Sequence, residues 1–277
     1  MSHLYISDLD GTLLDDSTRV SERSARLLNE AIDRGAFFTV ATARTPATVE
    51  ILLQNIDLRL PAIVMTGAAM WDHRTSRYVD PQLIDGSLSR KAVSVFRESG
   101  LEPFMYCICS DMLDVYHHGP LTAEEQTFVD ARSGLKLKKF HLDSSPLQVA
   151  EAENVILIFG MGDYERLSRL ADRLDPAEYS VSFYEDNAST QYYIEVFAAG
   201  VSKAVAVQRL AAMIGADEIT VYGDNLNDIS MMNVATDPVA VANAKPLVRT
   251  AAAREIASNN DDAVALDVAA NFLSHES

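Results

Sequence analysis

Carboxylates directly follow two apolar segments that have the composition of buried β-strands. Asp8 and Asp10 come after LYIS, and Gly11 continues the chain in a manner typical of a tight turn. Asp224 and Asp228 come after ITVYG. If the two strands are neighbours in one sheet, Asp8 and Asp224 meet where their mutual repulsion requires a cation. Hard oxygen ligands favour Mg²⁺, so we expect a magnesium site that includes both residues.

Cationic and hydroxyl side chains lie at the ends of other predicted strands and helices, where they are suited to bind an anion. Lys203 follows GVS at the expected start of a helix, so its ammonium and the free helix amides can face a phosphate. Thr42 ends the strand FFTVAT, and Arg44 can pair with phosphate through two hydrogen bonds. Asn227 is placed to orient metal-bound waters or neighbouring side chains.

Each of these residues also has a purely structural interpretation. The D-x-D-G sequence is compatible with an Asx turn, although an EF-hand calcium loop is excluded because Arg19 occupies the position of its bidentate Glu. A lone Lys203 is usually a surface residue, and a lone Thr42 usually supports the backbone. Arg44 could simply form a salt bridge. The functional interpretation therefore depends on the residues acting as a set.

Alternating strands and helices must position this set. A helix is predicted from Ser21 as N-cap to Gly35, and a second one starts at Thr45 and Pro46. The strands FFTVAT and AIVMT lie between them as continuous apolar runs, which is typical of a parallel sheet covered on both faces. We therefore predict an α/β, Rossmann-like parallel-sheet core with helices on both faces, and a site at the carboxyl ends of its strands.

The middle of the chain has a different pattern and predicts a smaller inserted α+β domain. FMYCICS and MLDVYHH resemble paired strands, and they are followed by a helix near LTAEEQTFVDAR and by the strands NVILIFG and YSVSFY. Between the last two strands, DYERLSRLADRL has amphipathic helical spacing. We expect the insert to span 82–188 and the discontinuous core to span 1–81 and 189–277, resuming with YYIEVF.

The net charge and the hydropathy of the sequence disfavour some classes of binding partner. The formal charge of −17 disfavours binding to nucleic acids or anionic membranes, because the long-range field has the wrong sign. No apolar run reaches the roughly 18 residues of a membrane span. Cys107 and Cys109 alternate on one expected strand, which is poor geometry for a disulfide. We expect free thiols in a cytoplasmic protein that binds neither nucleic acid nor membrane.

Together the motifs D-L-D-G-T, T-A-R, G-V-S-K and G-D-N-L-N-D resemble the haloacid dehalogenase superfamily, specifically its Cof-type phosphatases with a large inserted cap. They span residues 8 to 228 in the family's order, and the insert lies between the second and third motifs. The resemblance implies a phosphatase that uses Mg²⁺ and acts on a sugar phosphate or similar small phosphorylated metabolite. Its oligomeric state is not implied.

The resemblance also implies a role for each residue. Asp8 would be the nucleophile and a metal ligand, and Asp10 the general acid and base, binding metal through its backbone carbonyl. Asp224 would be the other protein ligand of the metal. Thr42 and Lys203 would hold the phosphate with Arg44 and Asn227 beside them. Asn227 and Asp228 would also support the metal and Lys203.

The sequence departs from that pattern at two places. Ala43 stands where a glycine usually precedes Arg44, and the usual asparagine of the third-strand motif is missing from Thr66, Gly67 and Ala68. Neither departure removes a catalytic carboxylate, so we expect substrate range to be affected more than chemistry. Candidates to line the substrate site from the insert are Tyr106, His117, His118, Tyr184 and Asn187.

Two alternatives remain open from the sequence. A phosphosugar mutase of the same superfamily would share the nucleophile and metal arrangement. A non-catalytic metal- or phosphate-binding protein would keep the fold, although intact Asp8, Asp10, Lys203 and Asp224 weigh against that interpretation.

Overall fold

The computed structural model describes residues 2–150, 154–185 and 191–275. The chain divides into two compact units. We call Met1–Asp80 with Ser202–Ser277 the core unit, and Pro81–Val201 the inserted unit.

The core unit alternates strands and helices along both of its chain segments. Its elements are β1 (His3–Ser7), α1 (Glu22–Asp33), β2 (Phe37–Val40), α2 (Pro46–Leu52), β3 (Ala62–Val64), β4 (Ala69–Asp72), β5 (Arg77–Val79), α7 (Lys203–Ile214), β12 (Glu218–Gly223), α8 (Ile229–Met232), β13 (Asp237–Val241), α9 (Pro246–Ala251), β14 (Arg254–Ile256) and α10 (Ala263–His275).

A five-stranded sheet in the order β14-β13-β12-β1-β2 forms the centre of the core unit, and all its pairings are parallel. Leu4 and Ile6 on one face of β1 and Tyr5 on the other are all buried, as expected for a strand covered on both faces. Helix α1 packs with α10, whereas α8 packs with α7 and α9. The predicted α/β core with helices on both faces is confirmed.

Local sequence accounts for where the core helices begin. The Ser21 side chain accepts a hydrogen bond from the Ser24 backbone amide, which caps α1 at the predicted residue. Pro46 begins α2, where its missing N–H costs nothing. Gly215 closes α7 in the left-handed conformation.

The segment AIVMT differs from the prediction of a third strand in the main sheet. Its ordered part, β3, pairs antiparallel with β4, and β4 pairs with β5, which gives a separate three-stranded sheet. A single parallel bridge from Ala41 to Ile63 connects it to the end of β2. The segment therefore joins the main sheet through this one bridge and pairs mainly with β4.

The inserted unit is built on a six-stranded sheet in the order β10-β11-β9-β6-β7-β8. Its elements are α3 (Gly86–Glu98), β6 (Phe104–Cys109), β7 (Met112–Tyr116), α4 (Ala123–Asp130), β8 (Lys138–His141), α5 (Pro146–Val149), β9 (Val155–Gly162), α6 (Tyr164–Ala171), β10 (Tyr179–Glu185) and β11 (Tyr192–Ala198). The inserted unit thus has a sheet of its own.

The expected end of the insert at residue 188 is too early. YYIEVF was expected to resume the core, but as β11 it pairs antiparallel with β9 and β10 inside the inserted unit. Its apolar residues gave no sign of which sheet it joins, because that choice depends on pairing with strands distant in sequence. The start of the insert differs from the expected residue 82 by one position.

Two expectations from composition can be compared with the structure. Cys107 and Cys109 are free thiols. Among the described residues, no helix is both long and apolar enough to span a bilayer.

Candidate active site

Asp8 and Asp224 lie side by side at the carboxyl edge of the central sheet. Ser7 is paired with Tyr222 in the register of β1 and β12, so the next residues of both strands emerge together. The Asp8 amide extends the ladder by donating to the Tyr222 carbonyl at 2.9 Å. Carboxylate oxygens of Asp8, Asp224 and Asp228 all lie within 4.8 Å of one another. The structure therefore brings together the two strand ends that the sequence predicted to meet.

Lys203 is the cation of this cluster, and its side chain is fully buried. Its ammonium donates to Asp8 Oδ1 at 2.6 Å and to Asp228 Oδ1 at 2.7 Å. The other oxygen of Asp228 accepts from the backbone amides of Asp224 and Asn225, at 3.1 and 3.0 Å. Asp228 thus holds both Lys203 and the loop that carries Asp224.

Burial and mutual repulsion shift the proton affinities of this cluster. Burial and the Asp228 carboxylate raise the pKa of Asp8 to about 8, against the opposing effect of Lys203. Burial and Asp228 likewise raise the pKa of Asp224 to about 6. Burial alone would lower the pKa of Lys203, but Asp228 and Asp8 outweigh it and raise that pKa. Without a further cation, the cluster has more carboxylates than positive charges to balance them.

The donor set fits a hard divalent cation. Both Asp228 oxygens are occupied by Lys203 and backbone amides, which leaves Asp8 and Asp224 as the carboxylates with capacity for a metal. The Thr12 hydroxyl donates to Asp224 Oδ1 at 2.9 Å and so fixes that carboxylate. An added cation would relieve the repulsion that raises both pKa values.

The turn after Asp8 requires its glycine. Gly11 has φ +75°, and a Cβ atom there would lie 2.7 Å from Asp224 Oδ2. The Asn243 side chain donates to the Gly11 carbonyl at 2.7 Å and secures the turn from the end of β13. Sequence reasoning gave no role to the side chain of Thr12 or to Asn243. Asn243 could have been found, because it follows an apolar strand just as Asp8 and Asp224 do.

Arg44 contacts a carboxylate of the site. Its guanidinium donates to the two Asp10 carboxylate oxygens at 2.7 and 2.6 Å. Arg44 therefore forms a salt bridge, the alternative interpretation given for it above. Its partner is Asp10, the residue expected to act as general acid and base. Thr42 is buried, and its hydroxyl oxygen accepts from the Arg44 amide at 3.1 Å. This leaves the hydroxyl proton available to donate.

The loop after β3 packs against the start of α7, which carries Lys203. Gly67 has φ +97°, and a Cβ atom there would lie 2.4 Å from the carbonyl oxygen of Ser202. Thr66 precedes it with φ +58°, a conformation that disfavours β-branched residues and suits asparagine. Thr66 thus stands where the family pattern has asparagine, and this β-branched residue is strained in the left-handed conformation that it adopts here.

Asn227 lies apart from the buried hydrogen bonds of Lys203. It is exposed on the short turn Leu226–Asp228, where its backbone carbonyl accepts from the Ser230 hydroxyl at 3.1 Å. A phosphate or metal role for Asn227 stays a prediction.

The residues of the insert that were expected to line the substrate site do not lie together in the inserted unit. Tyr106 and Tyr184 share one face of the six-stranded sheet, whereas His118 is exposed. His117 is buried against Phe104 and lines a cavity of about 410 Å³ within the inserted unit. Asn187 lies outside the described residues.

Comparison with known proteins gives matches along nearly the whole chain. The model of a family described as haloacid dehalogenase-like hydrolase matches residues 5–266. A solved sugar phosphatase of HAD subclass IIB superposes with a TM-score of 0.72 at 20% identity, covering 96% of this chain and 97% of that one. TM0651 from Thermotoga maritima superposes with a TM-score of 0.76 at 21% identity, covering 97% of each chain. At these identities the two structures support the fold alone.

Curated relatives of similar length are phosphatases by name. The 5-amino-6-(5-phospho-D-ribitylamino)uracil phosphatase YitU of Bacillus subtilis is 25% identical over 280 residues, covering 95% of both chains. The pyridoxal phosphate phosphatase YbhA of Escherichia coli is 23% identical over 263 residues, covering 93% of this chain and 94% of the relative.

Proposed function

Because the chain belongs to the haloacid dehalogenase-like hydrolases, we propose that it is a Mg²⁺-dependent phosphatase that hydrolyses a small phosphate monoester through a phospho-aspartyl intermediate on Asp8. The observation that carries this proposal is the buried contact of Lys203 with Asp8, beside Asp224. A carboxylate can approach an anionic phosphate only where cations compensate both charges.

The first step is the attack of an Asp8 oxygen on phosphorus, with release of the alcohol. Lys203 and the Thr42 hydroxyl hold the phosphoryl oxygens and balance charge that spreads over them in the transition state. Asp8, Asp224 and the Asp10 carbonyl would hold Mg²⁺, which would supply further positive charge to balance the phosphoryl group. Asp228 keeps Lys203 directed at Asp8.

Asp10 handles the protons. Its carboxyl group gives a proton to the departing oxygen and then takes one from the water that attacks the phospho-aspartate. In the resting arrangement this carboxylate is paired with Arg44. Proton transfer therefore requires Asp10 to leave that ion pair, and Arg44 becomes free to bind the substrate phosphate.

We infer that the substrate is a phosphorylated metabolite of the size of a sugar phosphate. Relatives of this length act, by name, on pyridoxal phosphate or on a phosphoribitylamino-uracil, so both belong with sugar phosphates as candidates. We place the activity in the cytoplasm, where free thiols such as those of Cys107 and Cys109 persist.

The test is phosphate release from sugar phosphates, nucleotides and pyridoxal phosphate, each in Mg²⁺ and in EDTA. We expect Mg²⁺-dependent release from at least one ester. If none releases phosphate while Mg²⁺ binding is confirmed by calorimetry, the proposal is wrong. A substrate that yields an isomeric sugar phosphate in place of free phosphate would indicate a mutase.

A further inference from the structure

A cavity of about 410 Å³ lies at one end of the six-stranded sheet of the inserted unit. The strands β7, β6, β9 and β11 are neighbours in this order and run antiparallel, so alternate starts and ends of these strands lie together. The lining follows this edge, since Glu102 precedes β6, His117 follows β7, Gly162 ends β9 and Gln191 precedes β11. The first residues of α4 and α6 complete the lining. The cavity has the volume of a site for a small metabolite.

His117 is a lining residue whose hydrogen-bonding capacity is not used by the folded chain. It is 1% exposed, and neither ring nitrogen has a hydrogen-bond partner within the described ranges. Its ring stacks on that of Phe104 with the centroids 4.3 Å apart, a contact that a phenylalanine would make equally well. Buried polar groups are normally hydrogen-bonded, because leaving one unsatisfied costs free energy. An imidazole at this position therefore points to a group that enters the cavity and completes its hydrogen bonds.

The imidazole of His117 is neutral at pH 7. Burial lowers its pKa with help from His118, while the carboxylates of Glu125 and Glu102 and the carbonyl of Pro103 oppose the shift. The Pro103 carbonyl does not reach hydrogen-bonding geometry with the ring. A neutral imidazole has one nitrogen that donates and one that accepts. An N–H group of a bound molecule can therefore donate to the accepting nitrogen.

Acidic side chains already cap both helices that start at the cavity. Glu125 accepts from the Thr122 amide at 2.8 Å, and the Thr122 hydroxyl oxygen accepts from the Glu125 amide at 3.2 Å, which caps α4. Asp163 caps α6 by accepting from the Arg166 amide at 2.9 Å. An anion in the cavity would have to compete with these side chains for the helix amides, so the helix starts do not favour an anionic ligand.

The charge of the lining favours a cation. Its carboxylates belong to Glu102, Glu124, Glu125 and Asp163. Arg97 neutralises Glu102 through hydrogen bonds at 2.7 and 2.6 Å, and Arg166 is the basic residue of the lining. Each helix N-terminus contributes a further charge of about +0.5. The three remaining carboxylates outweigh these positive charges, so the lining stays net negative.

We propose that this cavity binds a small organic cation, a primary amine whose ammonium donates to the accepting nitrogen of His117 and is balanced by Glu125 and its acidic neighbours. Leu101 and Met161 supply apolar surface for the carbon frame of the amine. All residues of the site belong to the inserted unit. The inference is independent of the proposed phosphatase function, because amine binding is measured without an ester.

Calorimetric titration of the parent chain with two pairs of probes tests the preference for charge. Putrescine and phenethylamine carry ammonium groups, whereas butanediol and phenethyl alcohol have the same carbon frames with hydroxyl groups in their place. Saturating Mg²⁺ in every titration competes with the amines for the carboxylates of the core unit. We expect at least one amine to bind about tenfold or more tightly than its alcohol. If neither amine binds more tightly than its alcohol, the proposal is wrong.

Substitutions locate the bound amine. His117→Phe keeps a ring stacked on Phe104 but removes both nitrogens, and Glu125→Gln removes the charge while its amide oxygen can still cap α4. Each should weaken amine binding about tenfold or more. His118→Phe and Glu165→Gln change exposed residues outside the lining and should leave it unchanged. Melting temperatures verify folding, and amine binding of parent affinity in folded His117→Phe overturns the proposal.

A measurement on the parent chain covers the case in which His117→Phe does not fold. Nitrogen NMR of the imidazole rings follows His117 and His118 during the amine titration. The accepting nitrogen of His117 should change its chemical shift as it accepts a hydrogen bond, whereas the resonances of His118 should stay in place. Resonances of His117 that do not move at saturation with the amine would show that the amine binds elsewhere, which also overturns the proposal.

Discussion

The ammonium of Lys203 forms ion pairs with both Asp8 and Asp228. A change of charge at one of these three residues therefore alters the electrostatic environment of the other two. Asp228 is fully buried, and its carboxylate accepts from Lys203 and from the backbone amides of Asp224 and Asn225. Through Lys203, Asp228 influences the charge balance of Asp8 without contacting a substrate itself. Removing its charge leaves Lys203 with one partner and frees the loop of Asp224.

We predict that Asp228→Asn lowers kcat at least a hundredfold and destabilises the core unit by about 3 kcal/mol, because it breaks a buried ion pair that also caps backbone amides. Steady-state kinetics and thermal unfolding measure the two effects. Asp217→Asn changes an exposed carboxylate of the same unit and should alter neither. Parent-like kcat in Asp228→Asn would show that Lys203 does not need this partner.

Sequence alone identified most carboxylates of the site and the lysine, because each is a polar residue at the end of an apolar strand or the start of a helix. It could not decide the partner of Arg44. That choice depends on Asp10, 34 positions earlier, being within reach of the guanidinium. The roles of Thr12 and Asn243 also come from contacts between distant segments, Thr12 with Asp224 and Asn243 with Gly11.

Glu195 gives a prediction on pH. Burial raises its pKa from 4.5 to about 7 in the folded chain, so the folded state holds its proton where the unfolded state has lost it. Stability relative to Glu195→Gln is therefore full below about pH 4.5 and falls as pH rises to about 7. The total loss is about 3 kcal/mol.

Thermal unfolding of the parent and of Glu195→Gln between pH 4 and 8 measures this difference. The stability of the two proteins should diverge across that window and run parallel above it. Glu185→Gln, a substitution of the same type at an exposed position, serves as the control. A constant difference between the parent and Glu195→Gln at all pH values would show that Glu195 is not held protonated.

At the scale of elements, the start of α7 depends on the loop after β3. Gly67 and Gly35 both have positive φ, at +97° and +106°, but they differ in surroundings. A Cβ atom at Gly67 would collide with the backbone of Ser202, whereas a Cβ atom at Gly35 would meet nothing within 4 Å. Alanine substitutions at the two glycines therefore distinguish the cost of a positive φ, which both carry, from the cost of a steric collision, which only Gly67→Ala carries.

We predict that Gly35→Ala costs about 1–2 kcal/mol of stability and leaves kcat unchanged. Gly67→Ala should cost more and also lower kcat at least tenfold, because relieving the collision displaces Ser202 and with it Lys203. Chemical unfolding and steady-state kinetics provide the comparison. Equal effects of the two substitutions on kcat would contradict a positioning role for the loop.

Helix boundaries were predictable where a local signal marks them. Ser21 and Pro46 each act within a few residues of the chain, and each occupies the expected start of a helix. Strand partners were not predictable in the same way. The apolar residues of β3 and β11 fit a parallel core strand equally well, and only their pairing with distant strands decides the sheet.

At the scale of the whole molecule, Asp8 and Asp224, the carboxylates that we propose as metal ligands, both belong to the core unit. We predict that Mg²⁺ raises the unfolding temperature of the core unit and leaves that of the inserted unit unchanged. At a concentration of 100 Kd the stabilisation should be about 2.7 kcal/mol. Differential scanning calorimetry in Mg²⁺ and in EDTA measures both transitions.

Asp224→Asn should abolish this Mg²⁺-dependent shift, because it removes one of the two carboxylates with capacity for the metal. Asp217→Asn should preserve it. A shift of parent size in Asp224→Asn would place the metal elsewhere in the molecule.

The most direct test of the account is acid quenching of the enzyme during turnover of its best ester, labelled with ³²P in the phosphate. We predict alkali-labile label on the peptide that contains Asp8, and neither label nor Mg²⁺-dependent phosphate release in Asp8→Asn. Phosphate release by Asp8→Asn at the parent rate, or label on a different residue, would contradict the assignment of Asp8 as nucleophile.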